Sequence, residues 1–277
     1  MDLVELILPQ SCACCGEGNR ALCRICRLLL MRQTAQPFDA AGEARSWPDG
    51  LPCIAAGVYR HELACLILAF KNGGRTDVLP PLARAAARAL EQCLQAAVDP
   101  AAETAPASLL LVPVPSSAAA YRRRGFSPAL ELARRALRER PDLAHQVRLA
   151  PVLTPRRVRG RWLSWCSRAD RSGQKGLGAA ARGLRARGSL SVGFDAPLLR
   201  LGIEPRVQGC SCLLLDDVLT TGATLAAARS ALEGAGARVL GALVLGSVRA
   251  PSSPEPAVLQ EVMLSHSTER PSLREIE

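Results

Sequence analysis

One stretch of twelve residues, Leu213 to Thr224, constrains the fold more than any other part of this chain. It reads Leu-Leu-Leu-Asp-Asp-Val-Leu-Thr-Thr-Gly-Ala-Thr, and a helical pattern follows from Leu225 to Glu233. An apolar run that stops at two carboxylates, continues in a loop of small residues and opens into a helix predicts a strand–loop–helix unit. In open α/β sheets, the loop of such a unit lies at the carboxyl edge of the strands, where ligands bind.

The loop in this stretch suits a phosphate monoester. It consists of Thr220, Thr221, Gly222, Ala223 and Thr224, and we call it the 220–224 loop. The glycine can adopt a positive φ without steric cost, so the loop can turn tightly. The threonines supply hydroxyl donors, and successive backbone N–H groups can form a concave anion site. Because the N-terminus of the following helix also favours negative charge, the loop predicts a phosphate pocket.

The two carboxylates before the loop suit a different group. Ionised Asp216 and Asp217 only accept hydrogen bonds, so they can bind sugar hydroxyls or a Mg²⁺ shell rather than phosphate. A phosphate beside vicinal hydroxyls, about one sugar apart, describes a ribose 5-phosphate. The alternative is a strand end with solvated carboxylates, followed by a helix capped by threonine.

The same stretch resembles the signature of type I phosphoribosyltransferases. The resemblance implies that Asp216 and Asp217 hold the ribose of Mg²⁺-bound phosphoribosyl pyrophosphate and that the 220–224 loop holds its 5′-phosphate. Purine-salvage members of this superfamily carry an aspartate at the place of Thr220, where it handles a proton of the base. Threonine argues against that role, so the sequence does not identify the acceptor.

Other segments resemble one branch, the ComF/GntX family of competence-associated proteins. They are a Cys-rich N-terminus, Ala69 to Gly74, Leu111 to Pro115, Arg124 to Phe126, and Glu131 to Arg134. The branch implies a link to DNA uptake and a helicase-like partner. The chain departs from the family pattern where Ser127-Pro128 replace Asn-Gln and where Arg185 replaces Asn. These departures concern the acceptor side and a lid rather than the 220–224 loop.

Four further residues are weaker candidates for substrate binding. The resemblance places the turn at Ser116 and Ser117 opposite the pyrophosphate. Arg124 can neutralise the leaving group, and it can equally be a surface arginine. Lys71 can lie near the substrate or can complement the dipole at the C-terminal end of a helix.

Four cysteines near the N-terminus predict a metal site. Cys12, Cys15, Cys23 and Cys26 form two Cys-x2-Cys elements with seven residues between them, and such elements can place four thiolates around one Zn²⁺. The gap is shorter than the commonest ribbon spacing, and Cys14 can compete as a ligand. The alternative is a set of reduced thiols or a redox pair.

Alternating strand and helix patterns predict an α/β fold with a parallel sheet flanked by helices. A strand is expected at Leu213 to Leu215 and a polar connector at Gln36 to Pro52. We expect a zinc finger in residues 1–35, a phosphoribosyltransferase-like domain in residues 53–249 and a disordered tail in residues 250–277. No apolar run is long enough to span a membrane and the N-terminus lacks a basic signal-peptide start, which predicts a cytoplasmic protein.

Positive charge is concentrated in one segment. Residues 156–187 contain ten basic residues and one acid, a net charge of +9 against +10 for the whole chain. The segment also contains Trp162 and Trp165. It can act as a lid over an anionic substrate, as a site for single-stranded DNA, or simply as a solvated loop.

Two functions from different classes remain open. In the first, the protein is an enzyme that transfers a phosphoribosyl group, with Mg²⁺, to an acceptor that the sequence does not name. In the second, it is a non-catalytic adaptor that binds nucleic acid or the helicase-like partner of the competence machinery.

Overall fold

The computed structural model describes residues 11–18, 20–97, 109–155, 157–158, 161–162, 190–193 and 207–248. The predicted tail at 250–277 lies outside the described residues, and so does most of the basic segment.

Six strands form the main sheet, in the order β1-β2-β10-β9-β3-β4. The strands of the described part are β1 (Phe38–Asp39), β2 (Cys53–Val58), β3 (Leu109–Pro113), β4 (Arg148–Leu149), β5 (Leu153–Pro155), β6 (Arg157–Val158), β7 (Arg161–Trp162), β8 (Leu190–Val192), β9 (Ser211–Leu219) and β10 (Arg238–Ser247). In the main sheet β2, β10, β9, β3 and β4 are parallel, and β1 is an antiparallel edge strand. β5 pairs with β8, and β6 with β7, in two small antiparallel sheets.

Helices cover both faces of the main sheet. Those of the described part are α1 (Arg24–Gln33), α2 (His61–Gly73), α3 (Leu79–Ala97), α4 (Ala118–Arg124), α5 (Pro128–Glu139), α6 (Pro141–Ala144) and α7 (Ala223–Gly234), with 3₁₀ turns at Ala41–Glu43 and Thr76–Val78. Within these residues, no helix combines the length and apolarity that crossing a membrane requires. The mainly parallel sheet with flanking helices confirms the fold class expected from the sequence.

Apolar side chains pack on both faces of the sheet, because successive side chains of a strand point to opposite faces. In β9, Leu213 and Leu215 join a buried cluster with α2, α3 and α5, whereas Cys212 and Leu214 join a cluster with α7. A parallel strand that is buried on both faces carries a continuous apolar run. This arrangement explains the run of leucines in the sequence.

β9 extends beyond the strand predicted at Leu213 to Leu215. Its backbone pairs with β10 as far as the pair of Leu219 and Ser247, because ladder hydrogen bonds do not depend on side-chain polarity. Asp216 and Asp217 therefore lie within β9, and the 220–224 loop follows it directly.

The stretch from Gln36 to Pro52 is more than the polar connector that we predicted. It contains β1 and a 3₁₀ turn, and it buries Ala40, Ala44 and Trp47 in the α7 cluster. These apolar residues are separated by polar ones and show neither strand nor helix periodicity, so the pattern did not indicate their burial.

The N-terminal cysteine region packs on the helices beside the sheet. Leu22, Cys26 and Leu30 lie in the same buried cluster as α2 and α3. The Arg88 guanidinium in α3 donates to the carbonyl and hydroxyl oxygens of Thr34, at 2.9 and 2.7 Å. The domain boundaries proposed above stay predictions.

Gln33, the last residue of α1, closes the start of α2. Its side-chain oxygen accepts the N–H of Leu63 at 3.2 Å, and its side-chain amide donates to the carbonyl of Arg60 at 3.4 Å. The first bond satisfies an N–H group that a helix start leaves unpaired. α2 thus begins against α1, and Lys71 lies in its last turn.

Candidate functional site

The 220–224 loop turns on Gly222. This glycine has a φ of 76°, in the left-handed region, and immediately precedes α7. Thr220 is exposed, whereas Thr221 and Thr224 are half-buried. The Thr221 hydroxyl accepts the N–H of Ala223 at 3.4 Å. The five predicted loop residues are therefore together at the N-terminus of α7, where the helix dipole favours an anion.

The structure brings Lys71 to the acidic pair. Lys71 Nζ lies 2.7 Å from Asp217 Oδ2, and the exposed fractions of the two side chains are 36% and 16%. Asp216 Oδ1 accepts the backbone N–H of Asp217 at 2.8 Å. The weaker sequence candidate Lys71 thus lies beside the strongest ones, at the carboxyl edge of the sheet.

The environment of Asp216 disfavours its ionisation. Burial raises the pKa of this carboxyl to about 8, and the neighbouring charge of Asp217 acts in the same direction. The charge of Lys71 opposes both effects without cancelling them. Both effects favour the protonated form of Asp216, and a protonated carboxyl can donate a hydrogen bond as well as accept one.

Tyr59 is a residue of this site that the sequence analysis did not single out. It follows β2 at the carboxyl edge of the sheet, and its N–H donates to the carbonyl of Ser247 at 2.9 Å. Burial raises the pKa of its phenol, while the charges of Lys71 and Asp217 act on it in opposite directions. A polar residue directly after an apolar strand is the sequence feature that would have identified it.

The turn after β3 lies next to the acidic end of β9. The N–H of Val114 donates to the carbonyl of Leu215 at 2.8 Å. Ser117 is buried, and its hydroxyl accepts the N–H of Ala120 at 3.3 Å as the N-cap of α4. Ser116 is half-buried. For both serines, a place opposite a pyrophosphate stays a prediction.

Arg124 connects α4 to the end of α2. Its guanidinium donates to the carbonyl of Lys71 at 3.3 Å and to the carbonyl of Ala120 at 3.2 Å. Arg124 therefore supports the turn that carries Lys71. Its contact with a leaving group stays a prediction.

The four predicted metal ligands converge. The Sγ atoms of Cys12, Cys15, Cys23 and Cys26 all lie within 4.8 Å of one another. The Sγ atoms of Cys15 and Cys23 are 3.8 Å apart. Four sulfurs at about 2.3 Å from a tetrahedral Zn²⁺ are roughly 3.8 Å from each other, so the cluster fits this ion.

Backbone groups favour a thiolate at Cys12, whereas burial raises the pKa of the Cys15 and Cys26 thiols. The N–H groups of Cys23 and Cys26 donate to the Sγ atoms of Cys12 and Cys23, each at 3.4 Å. Burial opposes the ionisation of Cys12, but hydrogen bonds from the backbone outweigh it and lower the pKa of this thiol to about 6. The cluster can therefore hold a metal such as zinc.

Cys14 lies outside this cluster, although its position within the first Cys-x2-Cys element makes it a competing candidate. Its Sγ donates to the carbonyl of Glu62 at 3.8 Å, in the first turn of α2. Cys14 thus contacts α2 instead of facing the other four sulfurs.

Four residues of the basic segment are described. They form a short antiparallel pair, with Arg157 opposite Trp162 and Val158 opposite Arg161. The rest of the segment, including Trp165 and Arg185, lies outside the described residues. The lid, the DNA site and the solvated loop all remain open.

Comparison with known proteins gives a partial relationship. No family model matches the chain. The adenine phosphoribosyltransferase of Corynebacterium kroppenstedtii is 41% identical over 87 residues, which cover 28% of this chain and 46% of that protein. The chain thus spans less than half of the length of this curated relative. Together with the sheet and the 220–224 loop, the match supports a type I phosphoribosyltransferase-like fold.

Proposed function

We propose that this chain binds phosphoribosyl pyrophosphate with Mg²⁺ at the carboxyl edge of the sheet, as a member of the ComF/GntX branch. The observation that carries the proposal is that Asp216 and Asp217 lie at the end of one parallel strand and the 220–224 loop follows it directly. The carboxyl groups and the proposed anion pocket thus belong to the same edge of the sheet. The partial match to an adenine phosphoribosyltransferase supports the same class of ligand.

Each part of the ligand has a group that suits it. The 220–224 loop and the N-terminus of α7 would bind the 5′-phosphate. The ribose hydroxyls take Asp217, which accepts hydrogen bonds, and Asp216, which can also donate because burial favours its protonated form. Lys71 balances the charge of Asp217 at 2.7 Å and holds its carboxylate in place.

The donor chemistry of the site fits Mg²⁺. Carboxylate oxygens and substrate phosphates are its usual ligands in proteins; here Asp217 would supply a carboxylate, and Asp216 a second one once it releases its proton. When bound, the ion would supply positive charge toward the pyrophosphate. Mg²⁺ would compete with the ammonium group of Lys71 for Asp217, because the two side chains already form an ion pair.

If the protein is an enzyme, the bond between C1 of the ribose and the pyrophosphate oxygen breaks and a bond from C1 to the acceptor forms. Positive charge develops on the sugar and negative charge on the leaving group, so the site must stabilise both. Asp217 lies on the sugar side. The groups that receive the leaving pyrophosphate are proposed to include Ser116, Ser117 and Arg124, while the acceptor is not identified.

Titration calorimetry of the full chain with phosphoribosyl pyrophosphate and Mg²⁺ tests this function. Wild type should give saturable heat, and Asp217→Asn should weaken binding by about tenfold or more. Asp142→Asn is a suitable control, because Asp142 pairs with Arg140 outside the proposed site and its loss also removes one negative charge. The absence of heat with wild type would reject the proposal.

The concentration of charge in residues 156–187 favours a second candidate, the nucleic-acid adaptor of the competence machinery. An adaptor should bind single-stranded DNA with a strong dependence on salt. Replacing Arg156, Arg157, Arg159 and Arg161 by alanine should weaken that binding and leave the sugar-phosphate heat unchanged. An affinity for DNA that does not change with salt concentration would remove the support for this candidate. A cytoplasmic location and a helicase-like partner remain part of the proposal.

A further inference from the structure

A short segment between β1 and β2 is built against the 220–224 loop, and we call residues 40–47 the strap. Its start is fixed to the edge of the sheet. The N–H of Ala40 donates to the carbonyl of Cys53 at 2.8 Å. The Asp39 carboxylate accepts the N–H groups of Ala41 and Cys53, at 2.9 and 3.0 Å.

The strap contacts the loop at two consecutive residues. The N–H of Ser46 donates to the carbonyl of Thr221 at 2.9 Å. A Cβ atom on Gly222 would lie 3.0 Å from Ala44 Cβ, and 3.2 and 3.3 Å from the N and Cβ atoms of Trp47. A side chain at this turn would therefore crowd the strap, and the strap would have to shift to admit it.

Two more contacts hold the strap in place. Trp47 is 4% exposed, and its indole N–H donates to the carbonyl of Leu51 at 2.9 Å. Glu43 Oε2 accepts the hydroxyl of Ser247, a fully buried residue at the end of β10, at 3.0 Å. The strap is thus attached to the sheet edge, to the chain that follows it and to the strand next to β9.

We infer that the strap positions the 220–224 loop for its ligand and that Trp47 is the positioning residue. The inference rests on the proposed function, in which the loop holds a phosphate. A loop that must direct several N–H groups at one anion pays an ordering cost on binding, unless its conformation is fixed beforehand. The buried Trp47 ring anchors the strap through its hydrogen bond to Leu51, and the backbone N and Cβ atoms of Trp47 then limit the space at Gly222.

Hydrogen exchange of the ligand-free protein tests the strap independently of any ligand. Trp47→Ala should raise the exchange rates of the amides in residues 221–224 by about tenfold, while the amides of β9 keep theirs. Trp47→Phe keeps most of the buried ring and should restore most of the protection. Leu143→Ala, a cavity variant at a buried residue of α6, should leave the loop unchanged. Unchanged loop exchange in Trp47→Ala, or faster exchange throughout the chain in both Trp47 variants, would overturn the inference.

Calorimetry with ribose 5-phosphate then tests the consequence for binding. Trp47→Ala should raise the dissociation constant by about tenfold, and Trp47→Phe should recover most of the affinity. If wild type binds and Trp47→Ala binds equally well, the positioning role is rejected. If wild type does not bind, the proposed function fails, and the exchange result still decides whether the strap orders the loop.

Discussion

Lys71 and Asp217 form a 2.7 Å ion pair that joins the last turn of α2 to the acidic end of β9. The pair occupies the carboxylate that the proposed function assigns to the ribose and to Mg²⁺. A cation that binds there must therefore compete with the ammonium group. This competition can be measured in the absence of any sugar phosphate.

Lys71→Met should strengthen the binding of Mg²⁺ alone, by about tenfold, because the carboxylate of Asp217 loses its competing cation. Calorimetry with MgCl₂ at fixed ionic strength measures the effect. Arg84→Met removes a charge of the same sign from an ion pair between α3 and α5 and controls for net charge. Equal Mg²⁺ affinity in wild type and Lys71→Met would show that Asp217 is not a ligand.

The raised pKa of Asp216 predicts a dependence of stability on pH. Its folded-state pKa of about 8 lies above its ordinary value of 3.8, so the folded protein keeps a proton that the unfolded chain releases. The stability from this group is fully present below about pH 4 and is lost as the pH rises through about 8. Relative to Asp216→Asn, wild type should therefore lose free energy of unfolding between pH 5 and pH 8.

Urea denaturation of both proteins across that range measures this difference. Asp142→Asn is the matched control, because Arg140 lowers the pKa of Asp142 and its effect should have the opposite direction. A difference between wild type and Asp216→Asn that stays constant with pH would contradict the protonated state of Asp216.

Alanine substitutions at two glycines with nearly equal φ distinguish the cost of crowding from the cost of backbone strain. Gly222 has a φ of +76° and a crowded Cβ position, whereas Gly209 has a φ of +74° and nothing within 4 Å of that position. Gly209→Ala should cost only the strain of a positive φ, about 1 kcal/mol, and Gly222→Ala should cost about 1–3 kcal/mol more. Chemical denaturation measures the free energy of unfolding of both variants. Equal losses would mean that the strap shifts at little cost to admit the Cβ atom.

The cysteine cluster predicts about one zinc per chain, measured by elemental analysis of the purified protein. Cys23→Ser should lose the metal and destabilise the region around α1 through that loss, because a serine hydroxyl can still cap the helix but is a poor zinc ligand. Cys14→Ser should retain the metal, since its thiol faces α2. Wild type that is metal-free and fully folded, or loss of zinc in Cys14→Ser, would contradict this assignment.

Local patterns predicted the part of the site that is continuous in sequence. The leucine run, the small loop and the helix after it are adjacent, so the strand–loop–helix unit was readable from Leu213 to Glu233. The end of β9 could not be predicted, because its pairing with β10 continues past the two aspartates to Leu219. The cysteine spacing likewise predicted four convergent sulfurs, but only the fold showed that Cys14 faces elsewhere.

Contacts between distant segments could not be predicted. Lys71 and Asp217 are separated by more than a hundred residues, and their meeting depends on how α2 packs against the sheet. Tyr59 lies at the same carboxyl edge of the sheet, and its place there likewise depends on how distant strands pair. Trp47 lay in a stretch without periodicity, and only its burial against Gly222 reveals its position behind the loop.

α2 begins where Gln33 and Cys14 bond to its first turn, and its last turn holds Lys71. Its thirteen residues make a stiff rod of about 20 Å between the sulfur cluster and the acidic strand end. The sulfur cluster and the proposed site thus share one helix, so we expect metal loss at the cysteines to loosen the position of Lys71 at the other end.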